Sequence, residues 1–317
     1  MQYGDQPDPS PCPGEVKVRV RAIALNRLDI YTRAGVRGTK LPDDRFPHIL
    51  GGDSAGEVAE LGEGISGPPV GTHVVVDPLM GPGDMLGTNR SGAYAEYVVV
   101  PAANVFPIPD SLGFEEAAAL PTVYLPVWNI IIKHGKLQPN ETALVLSAAS
   151  GVGTAAIQVV KGVVGATCIA TTGNAEKAKA ALALGADHVI DYSKEDVAER
   201  LKEITGGRGV NLVVDSVGTQ FFEAAYGSLA RGGRYGVCGV TTGYKAELHL
   251  GQLFTKQIHL FGVFMGSLGD MQEVVDAAAK GLISSAIAER YPLEQAQQAH
   301  EAMEAADRFG KIVLTVA

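Results

Sequence analysis

Cysteine, positive charge and long apolar runs are all scarce in this sequence, and each shortage argues against a class of protein. The three cysteines, Cys12, Cys168 and Cys238, are far apart and form no CxxC pair. Neither a structural zinc knuckle nor a disulfide framework is therefore expected, and a reducing cytoplasm is the expected compartment. The formal net charge is −9 and no basic run occurs, which argues against nucleic acid and anionic membranes as partners.

Signals for a membrane or for export are also missing. No apolar run reaches the length of a membrane span. Residues 1–14 are polar and rich in proline, and they lack the apolar core of a signal peptide. We therefore expect a soluble, cytoplasmic protein without a membrane partner.

The pattern of strands and helices changes near residue 104, and the length of 317 residues favours two domains. Before that point, short strands such as the alternating Glu15–Ala24 predict a β-rich barrel or sandwich. After it, strands alternate with helices, which is typical of a doubly wound parallel α/β sheet. The six predicted strands are Ala143–Ser147, Thr167–Thr172, His188–Asp191, Leu212–Ser216, Arg234–Gly239 and His259–Phe264. Helices lie between most of these strands, as at Gly153–Val164 and Ala175–Leu184. Helices at about 268–280 and 293–305 and a strand at Lys311–Val316 close the chain.

A run of small residues after the first of these six strands has the form of a dinucleotide-phosphate cradle. Gly151 and Gly153 remove side chains where a pyrophosphate must approach the backbone, and Ala156 takes the third small position. Backbone N–H groups at the helix start, around Ser150 and Val152, would face the phosphates. The alternative is a turn of small residues that serves only tight packing.

The end of the second strand favours NADP over NAD. An acidic residue there would hold the ribose hydroxyls of NAD, but no acid occurs in Ala170–Asn174. Lys177 can reach a 2′-phosphate, and Thr171, Thr172 and Asn174 can donate hydrogen bonds to it. The alternative is that Lys177 is an exposed helix residue paired with nearby charges. Asp215, at the end of the fourth strand, is either a cofactor contact or a cap for the next turn.

Several segments follow one another in an order typical of a known family: Ala24–Asp29, Pro47–Val58, Gly92–Tyr97, the cradle, Leu184–His188 and Gly310–Leu314. In these segments the chain resembles the medium-chain dehydrogenase/reductase superfamily, in the branch of quinone oxidoreductases and zinc-type alcohol dehydrogenase-like proteins. The resemblance implies a GroES-like β domain over residues 1–106, a Rossmann NADP-binding domain over 107–264 and a return to the first domain over 265–317. Relatives carry a further stretch with a first strand before Gln2, so this chain is expected either to start late or to lack that strand.

This sequence differs from the zinc enzymes of the family at the positions that bind metal. The first catalytic zinc ligand of relatives falls at Asn26, the histidine and glutamate pair at Gly52 and Asp53, and the third ligand near Thr122. No thiol or imidazole remains at these positions, and Asp53 alone cannot build a tetrahedral site. The lobe that holds a second zinc, between Pro78 and Gly92, is reduced to a short stretch. A metal-free member is the resulting expectation.

The resemblance also implies roles for individual residues. Asn26 and Tyr31 would line the cleft beside the nicotinamide, Asn26 as a polar orienter and Tyr31 as a hydrogen-bond donor. The alternatives are that Asn26 only stabilises the turn after the strand and that Tyr31 only lines the wall of the cleft. Asp29 is expected to stabilise the local helix start or to pair with Arg33 rather than to take part in the chemistry. Lys177 and Tyr192 match positions around the NADP phosphate and ribose, and Phe264 and Gly266 match contacts with the nicotinamide edge.

The resulting hypothesis is an NADPH-dependent oxidoreductase that reduces a quinone or an α,β-unsaturated carbonyl without zinc. Without a metal, nothing lowers the pKa of an alcohol, whereas a conjugated acceptor spreads the charge that hydride transfer creates. Two alternatives stay open: a zinc-dependent alcohol dehydrogenase with atypical ligands, and a non-catalytic NADPH-binding sensor. A homodimer is expected, because the last sheet strand, around His259–Phe264, would be an apolar edge.

Overall fold

The computed structural model describes residues 1–65, 67–305 and 307–317, and they form two units. The chain leaves the first unit after Thr122, later than the change predicted after residue 106. It returns at Ser267, close to the predicted residue 265, but residues 280–286 belong again to the second unit. The first unit comprises Met1–Thr122, Ser267–Ala279 and Ile287–Ala317, and the second comprises Val123–Gly266 and Lys280–Ala286.

Both units are built on β-sheets, and both sheets were expected from the sequence. The strands of the described residues are β1 (Glu15–Ala24), β2 (Asp53–Leu61), β3 (His73–Val76), β4 (Leu79–Gly81), β5 (Asp84–Met85), β6 (Tyr97–Pro101), β7 (Val105–Pro107), β8 (Thr142–Val145), β9 (Thr167–Thr172), β10 (His188–Asp191), β11 (Val210–Asp215), β12 (Leu229–Val237), β13 (His259–Gly262), β14 (Ile287–Pro292) and β15 (Lys311–Thr315).

The sheet of the first unit has the order β14-β15-β1-β2-β3-β7, with β6 also paired to β1. Its central strand, β1, has the predicted bounds, because Val16, Val18 and Val20 alternate inward and are fully buried. Ala24, at the end of β1, lies opposite Asp53 of β2 and Val313 of β15. This register brings the residues after β1 close to the start of β2 and to the closing strand.

The sheet of the second unit is parallel and has the order β10-β9-β8-β11-β12-β13. This is the strand order of a doubly wound dinucleotide-binding sheet. The bounds of β9 and β10 are as predicted, whereas β12 begins earlier, at Leu229, and β13 ends at Gly262 rather than at Phe264. The glycines and polar residues at these ends carry no periodic signal, so the sequence could not place them.

The helices agree with the prediction in place but not always in type. The predicted helix from Gly153 to Val164 starts at Gly151 and becomes a π-helix over Val159–Val164, and another π-helix covers Asn129–His134. No helix in the described part of the chain is long and apolar enough to cross a membrane. The α-helices are α1 (Arg27–Ala34), α2 (Phe114–Ala118), α3 (Pro121–Trp128), α4 (Gly151–Gln158), α5 (Ala175–Ala183), α6 (Val197–Ile204), α7 (Thr219–Gly227), α8 (Leu250–Thr255), α9 (Leu268–Ala279) and α10 (Ala296–Ala305).

Candidate active site and cofactor cradle

Asn26 lies at the junction of β1 and α1, where it caps the helix. Its backbone N–H donates to Oδ2 of Asp29 at 2.7 Å, and its own side chain completes the capping box. The structure therefore gives Asp29 the role at the helix start that the sequence favoured. Arg33, the other partner considered for Asp29, instead donates to Glu304 at 2.6 Å.

A buried polar cluster surrounds Asp53, which is 0% exposed. Asn26 donates from Nδ2 to Oδ2 of Asp53 at 2.9 Å and contacts the carbonyl of Ala24 at 3.3 Å. Lys311 donates from Nζ to Oδ1 of Asn26 at 2.5 Å and lies 3.6 Å from Oδ2 of Asp53. Each polar atom of the Asn26 amide thus has a protein partner, so Asn26 orients Asp53 and Lys311.

Thr122 completes this cluster from the start of α3. Its hydroxyl donates to Oδ1 of Asp53 at 2.6 Å, and its backbone N–H lies 3.2 Å from the same oxygen. We call the four residues Asn26, Asp53, Thr122 and Lys311 the Asp53 cluster. Three of them, Asn26, Asp53 and Thr122, are residues predicted from the sequence to stand in place of metal ligands, and side-chain hydrogen bonds join Asn26 and Thr122 to Asp53. Among the described residues, no group of three or more histidine, cysteine, aspartate or glutamate side chains could hold a metal ion.

Burial and opposite charge act against each other in this cluster. Burial raises the pKa of Asp53, while the charge of Lys311 and the hydrogen bonds from Thr122 and Asn26 lower it. Burial likewise lowers the pKa of Lys311, and Asp53 opposes that shift. Desolvation also raises the pKa of Asp29 to about 7, although the N–H of Asn26 donates to its carboxyl. The carboxyl of Asp29 can therefore hold a proton near neutral pH.

A second chain of hydrogen bonds runs beside the cluster through His300, which is 0% exposed. Arg33 lies 3.3 Å from Nδ1 of His300, and Tyr94 Oη lies 3.1 Å from Nε2. Because arginine can only donate, Nδ1 accepts and Nε2 carries the hydrogen that it donates to Tyr94. Tyr94 in turn hydrogen-bonds Asp29. Burial and the Arg33 charge lower the pKa of His300 to about 4, so it is neutral, as expected of a structural histidine.

Tyr31, the predicted donor, is a half-buried residue of α1. The guanidinium of Arg37 lies over its ring, 4.7 Å from the centroid. No hydrogen bond joins the Tyr31 side chain to the Asp53 cluster within the described residues. The sequence pointed to Asn26 but missed its partner Lys311 and the hydrogen bonds of His300 with Arg33 and Tyr94. The signal for Lys311 was a charged residue at the start of an otherwise apolar strand.

In the second unit, the turn after β8 forms the predicted cradle. Ser147 has a φ of 59°, and Ser150 caps α4 by accepting from the N–H of Gly153 at 3.0 Å. A Cβ at Gly153 would lie 2.1 Å from the carbonyl oxygen of Ser147, so only glycine fits there. The N–H groups of Gly151 and Val152 stand in the first helical turn, where no intrahelical acceptor exists. The turn therefore fits a phosphate group.

The residues predicted to select the cofactor lie at and beyond the end of β9. Thr171 is buried, and its Oγ1 accepts from the N–H of Ser147 at 3.0 Å, so it braces the cradle. Thr172 donates to the carbonyl of Asn174 at 3.2 Å. Asn174 caps α5 by accepting from the N–H of Lys177 at 2.8 Å. The Lys177 side chain is half-buried in the first turn of this helix.

Tyr192 lies near this segment, because its hydroxyl would be 2.7 Å from a Cβ at Gly173. Its ring packs against Phe221 with 4.9 Å between the centroids. Asp215 is buried, accepts from the N–H groups of Val217 and Gly218 at 2.7 and 2.9 Å, and also accepts from Tyr235. The structure thus shows the capping role for Asp215.

The two residues predicted at the nicotinamide edge follow β13. Phe264 is 72% exposed, and Gly266 is half-buried. The intervening Met265 has a φ of 56°, so the backbone bends sharply between them.

Known protein families match segments in both units of the chain. The family described as "Alcohol dehydrogenase GroES-like domain" matches residues 12–110, and the family described as "Zinc-binding dehydrogenase" matches residues 151–280. Quinone oxidoreductase 1 of Escherichia coli (strain K12) is 34% identical over 315 residues, which cover 96% of this chain and 92% of that protein.

Two solved structures are similar over nearly the whole chain. The crystal structure of an NAD-dependent alcohol dehydrogenase has a TM-score of 0.92 and 38% identity, covering 99% of this chain and 95% of that one. The crystal structure of Escherichia coli quinone oxidoreductase complexed with NADPH has a TM-score of 0.84 and 32% identity, covering 98% and 94%.

Proposed function

The chain belongs to the medium-chain dehydrogenase/reductase superfamily of oxidoreductases, and we propose that it uses NADPH to reduce a quinone or an α,β-unsaturated carbonyl without zinc. The Asp53 cluster carries this proposal. At the positions that resemble zinc-ligand positions, Asn26, Asp53 and Thr122 are engaged with one another, and the ammonium of Lys311 supplies the positive charge.

The cofactor half of the proposal is supported by the second unit. Bound NADPH would supply a hydride. The N–H groups of Gly151 and Val152 would bind its pyrophosphate, and Ser150 and Gly153 shape the turn. Lys177 and Tyr192 would face the 2′-phosphate, with Thr171, Thr172 and Asn174 holding the backbone around it. Asp215, Phe264 and Gly266 would shape the nicotinamide end, Asp215 through the turn that it caps.

The proposed acceptor class follows from the hydrogen-bonding groups of the first unit. A simple alcohol needs a group that lowers its pKa, and a metal is the usual one. A quinone or enone spreads the new negative charge over a conjugated oxygen, so hydrogen-bond donors and a proton suffice. Tyr31 would donate to that oxygen, and Asn26 would orient the groups behind it.

An acceptor panel tests the proposal. Purified protein, treated with a chelator, is assayed for NADPH oxidation with a series of quinones and enones. We expect turnover with at least one member and a preference for NADPH over NADH. The rival candidate is suggested by the similarity to the NAD-dependent alcohol dehydrogenase. Alcohol oxidation that uses NAD and appears only with bound zinc would favour that candidate and contradict ours.

The proposal includes a homodimer formed through the edge strand β13. This strand pairs only with β12 in the described sheet, so its outer edge has unpaired backbone groups. Leu260 on it is 42% exposed, and Phe254 in the preceding helix is 73% exposed. A second copy of the chain would cover this edge. Analytical ultracentrifugation should give a dimer for the wild type and a monomer for Leu260→Lys, whereas a monomeric wild type would rule the dimer out.

A further inference from the structure

The Asp53 cluster is buried except at one residue. Asp53, Lys311 and Asn26 are 0%, 4% and 9% exposed, whereas Thr122 is half-buried. Removing a carboxylate and an ammonium from water costs several kcal/mol per ion. Buried charges with shifted pKa values occur most often at functional sites. Thr122 is the member of the Asp53 cluster that is partly accessible from outside it.

We propose that Thr122 is a catalytic residue that passes a proton between Asp53 and the oxygen of the acceptor. This inference rests on the proposed reduction of a conjugated acceptor. The sequence indicated only that Thr122 stands where a metal ligand is missing, and the inference gives this residue a role in catalysis. Lys311 and Asn26 are positioning residues in it, because they contact Asp53 and not the acceptor.

The hydroxyl of Thr122 has one hydrogen and two lone pairs, so it can be arranged in two ways. When Asp53 is ionised, the hydroxyl donates inward to Oδ1, at the observed 2.6 Å. When Asp53 is protonated, its acid hydrogen points to Oγ1 of Thr122, and the hydroxyl hydrogen turns outward. The backbone N–H of Thr122, 3.2 Å from the same carboxyl oxygen, holds the two groups together in both arrangements.

Hydride transfer to carbon forms the new C–H bond and moves an electron pair of the conjugated system onto the acceptor oxygen. The O–H bond of Thr122 breaks as its proton joins that oxygen, and the acid proton of Asp53 joins Oγ1 of Thr122. The acceptor gains a hydride and a proton, the cofactor is oxidised, and Asp53 is left ionised. A proton from water then restores Asp53 through the same hydroxyl.

Charged groups around Asp53 stabilise both its ionised and its protonated state. The ammonium of Lys311, 3.6 Å away, stabilises the ionised state that the reaction leaves. Burial raises the pKa of Asp53, which favours the protonated state from which the relay starts. Asp29, Asp77 and Tyr94 also interact electrostatically with Asp53. Negative charge on either neighbouring carboxyl favours the protonated state.

Replacement of the hydroxyl tests the inference. Thr122→Val keeps the shape but removes the hydroxyl, and Thr122→Ser is the matched control that keeps it. In single-turnover NADPH oxidation with an active acceptor, we expect Thr122→Val to be slower by about 100-fold or more and Thr122→Ser to stay within about fivefold of wild type. Asp53→Asn should cause a similar loss and add nothing to Thr122→Val, since both break one relay. NADPH affinity should be unchanged in all variants.

The pH profile separates a proton relay from a purely structural hydroxyl. The wild-type rate should fall as the pH rises through the pKa of Asp53, and Asp53→Asn should lack that fall. A wild-type rate in Thr122→Val would overturn the relay and leave the proposed reductase intact. If no acceptor oxidises NADPH, the proposed function fails. Infrared titration of the carboxyl groups then tests separately whether Asp53 and Thr122 form the relay. A protonated carboxyl band that disappears in Asp53→Asn and shifts in Thr122→Val supports it, and absence of the band overturns it.

Discussion

The ammonium nitrogen of Lys311 lies 3.6 Å from Oδ2 of Asp53, and the two side chains are 5% and 0% exposed. The pair joins the first residue of β15 to the first residue of β2, on either side of the end of β1. The ammonium of Lys311 thus balances the carboxylate of Asp53 inside the protein. Asn26 lies between them and accepts from Lys311 while donating to Asp53.

Removal of one member of this pair should destabilise the protein. Lys311→Met leaves the buried Asp53 without its counter-charge, which typically costs about 3–5 kcal/mol. The urea midpoint at neutral pH should fall accordingly. Lys40→Met, at an exposed lysine of the same unit, should change stability by less than about 0.5 kcal/mol. The double variant Lys311→Met/Asp53→Asn should recover part of the loss, and an unchanged midpoint in Lys311→Met would contradict the pairing.

The stability of the fold should depend on pH through Asp29. Burial raises its pKa from 3.8 to about 7, so the folded protein holds a proton there that the unfolded chain releases. This contribution is fully present below pH about 4 and is lost as the pH rises to about 7. Asp29→Asn should remove this pH-dependent loss, so the thermal midpoint of the variant should rise relative to that of the wild type as the pH increases across this range. His300 titrates with the opposite sign, and comparison of the two proteins cancels its contribution. Parallel curves would show that Asp29 is ionised throughout.

The cradle should not tolerate a side chain at Gly153. The added Cβ of Gly153→Ala would meet the Ser147 carbonyl oxygen at 2.1 Å and push the turn away from its phosphate-binding shape. We expect NADPH affinity, measured by fluorescence titration, to fall at least about tenfold, or about 1.4 kcal/mol. Gly227→Ala is the control, because nothing lies within 4 Å of its added Cβ. Equal affinities in the two variants would rule out the cradle as the pyrophosphate site.

Cofactor preference should depend on Lys177. A hydrogen bond to a charged phosphate is worth about 1.5–3 kcal/mol. Lys177→Ala should therefore lower the ratio of kcat/KM for NADPH to that for NADH by about tenfold or more. Lys179→Ala removes an exposed lysine from the same helix and should leave the ratio unchanged. If both variants keep the wild-type ratio, Lys177 does not bind the 2′-phosphate.

The sequence predicted the elements better than it predicted their contacts. The alternation of Val16, Val18 and Val20 determines β1, and the small residues of the cradle predicted α4 to within two residues. The resemblance grouped Asn26, Asp53 and Thr122, but the sequence could not place Lys311 beside them, because only the register of β1, β2 and β15 brings that residue close. The ends of β12 and β13 and the π-helical turns depend on tertiary packing, for which the sequence has no periodic signal.

The most direct test of the central claim is the rate of NADPH oxidation with the best acceptor, measured before and after complete removal of metal and alongside a determination of metal content. Zinc-free reduction by NADPH predicts the same kcat/KM in both preparations and a lower value with NADH. Loss of activity on metal removal, with recovery when one equivalent of zinc is restored, would contradict the claim.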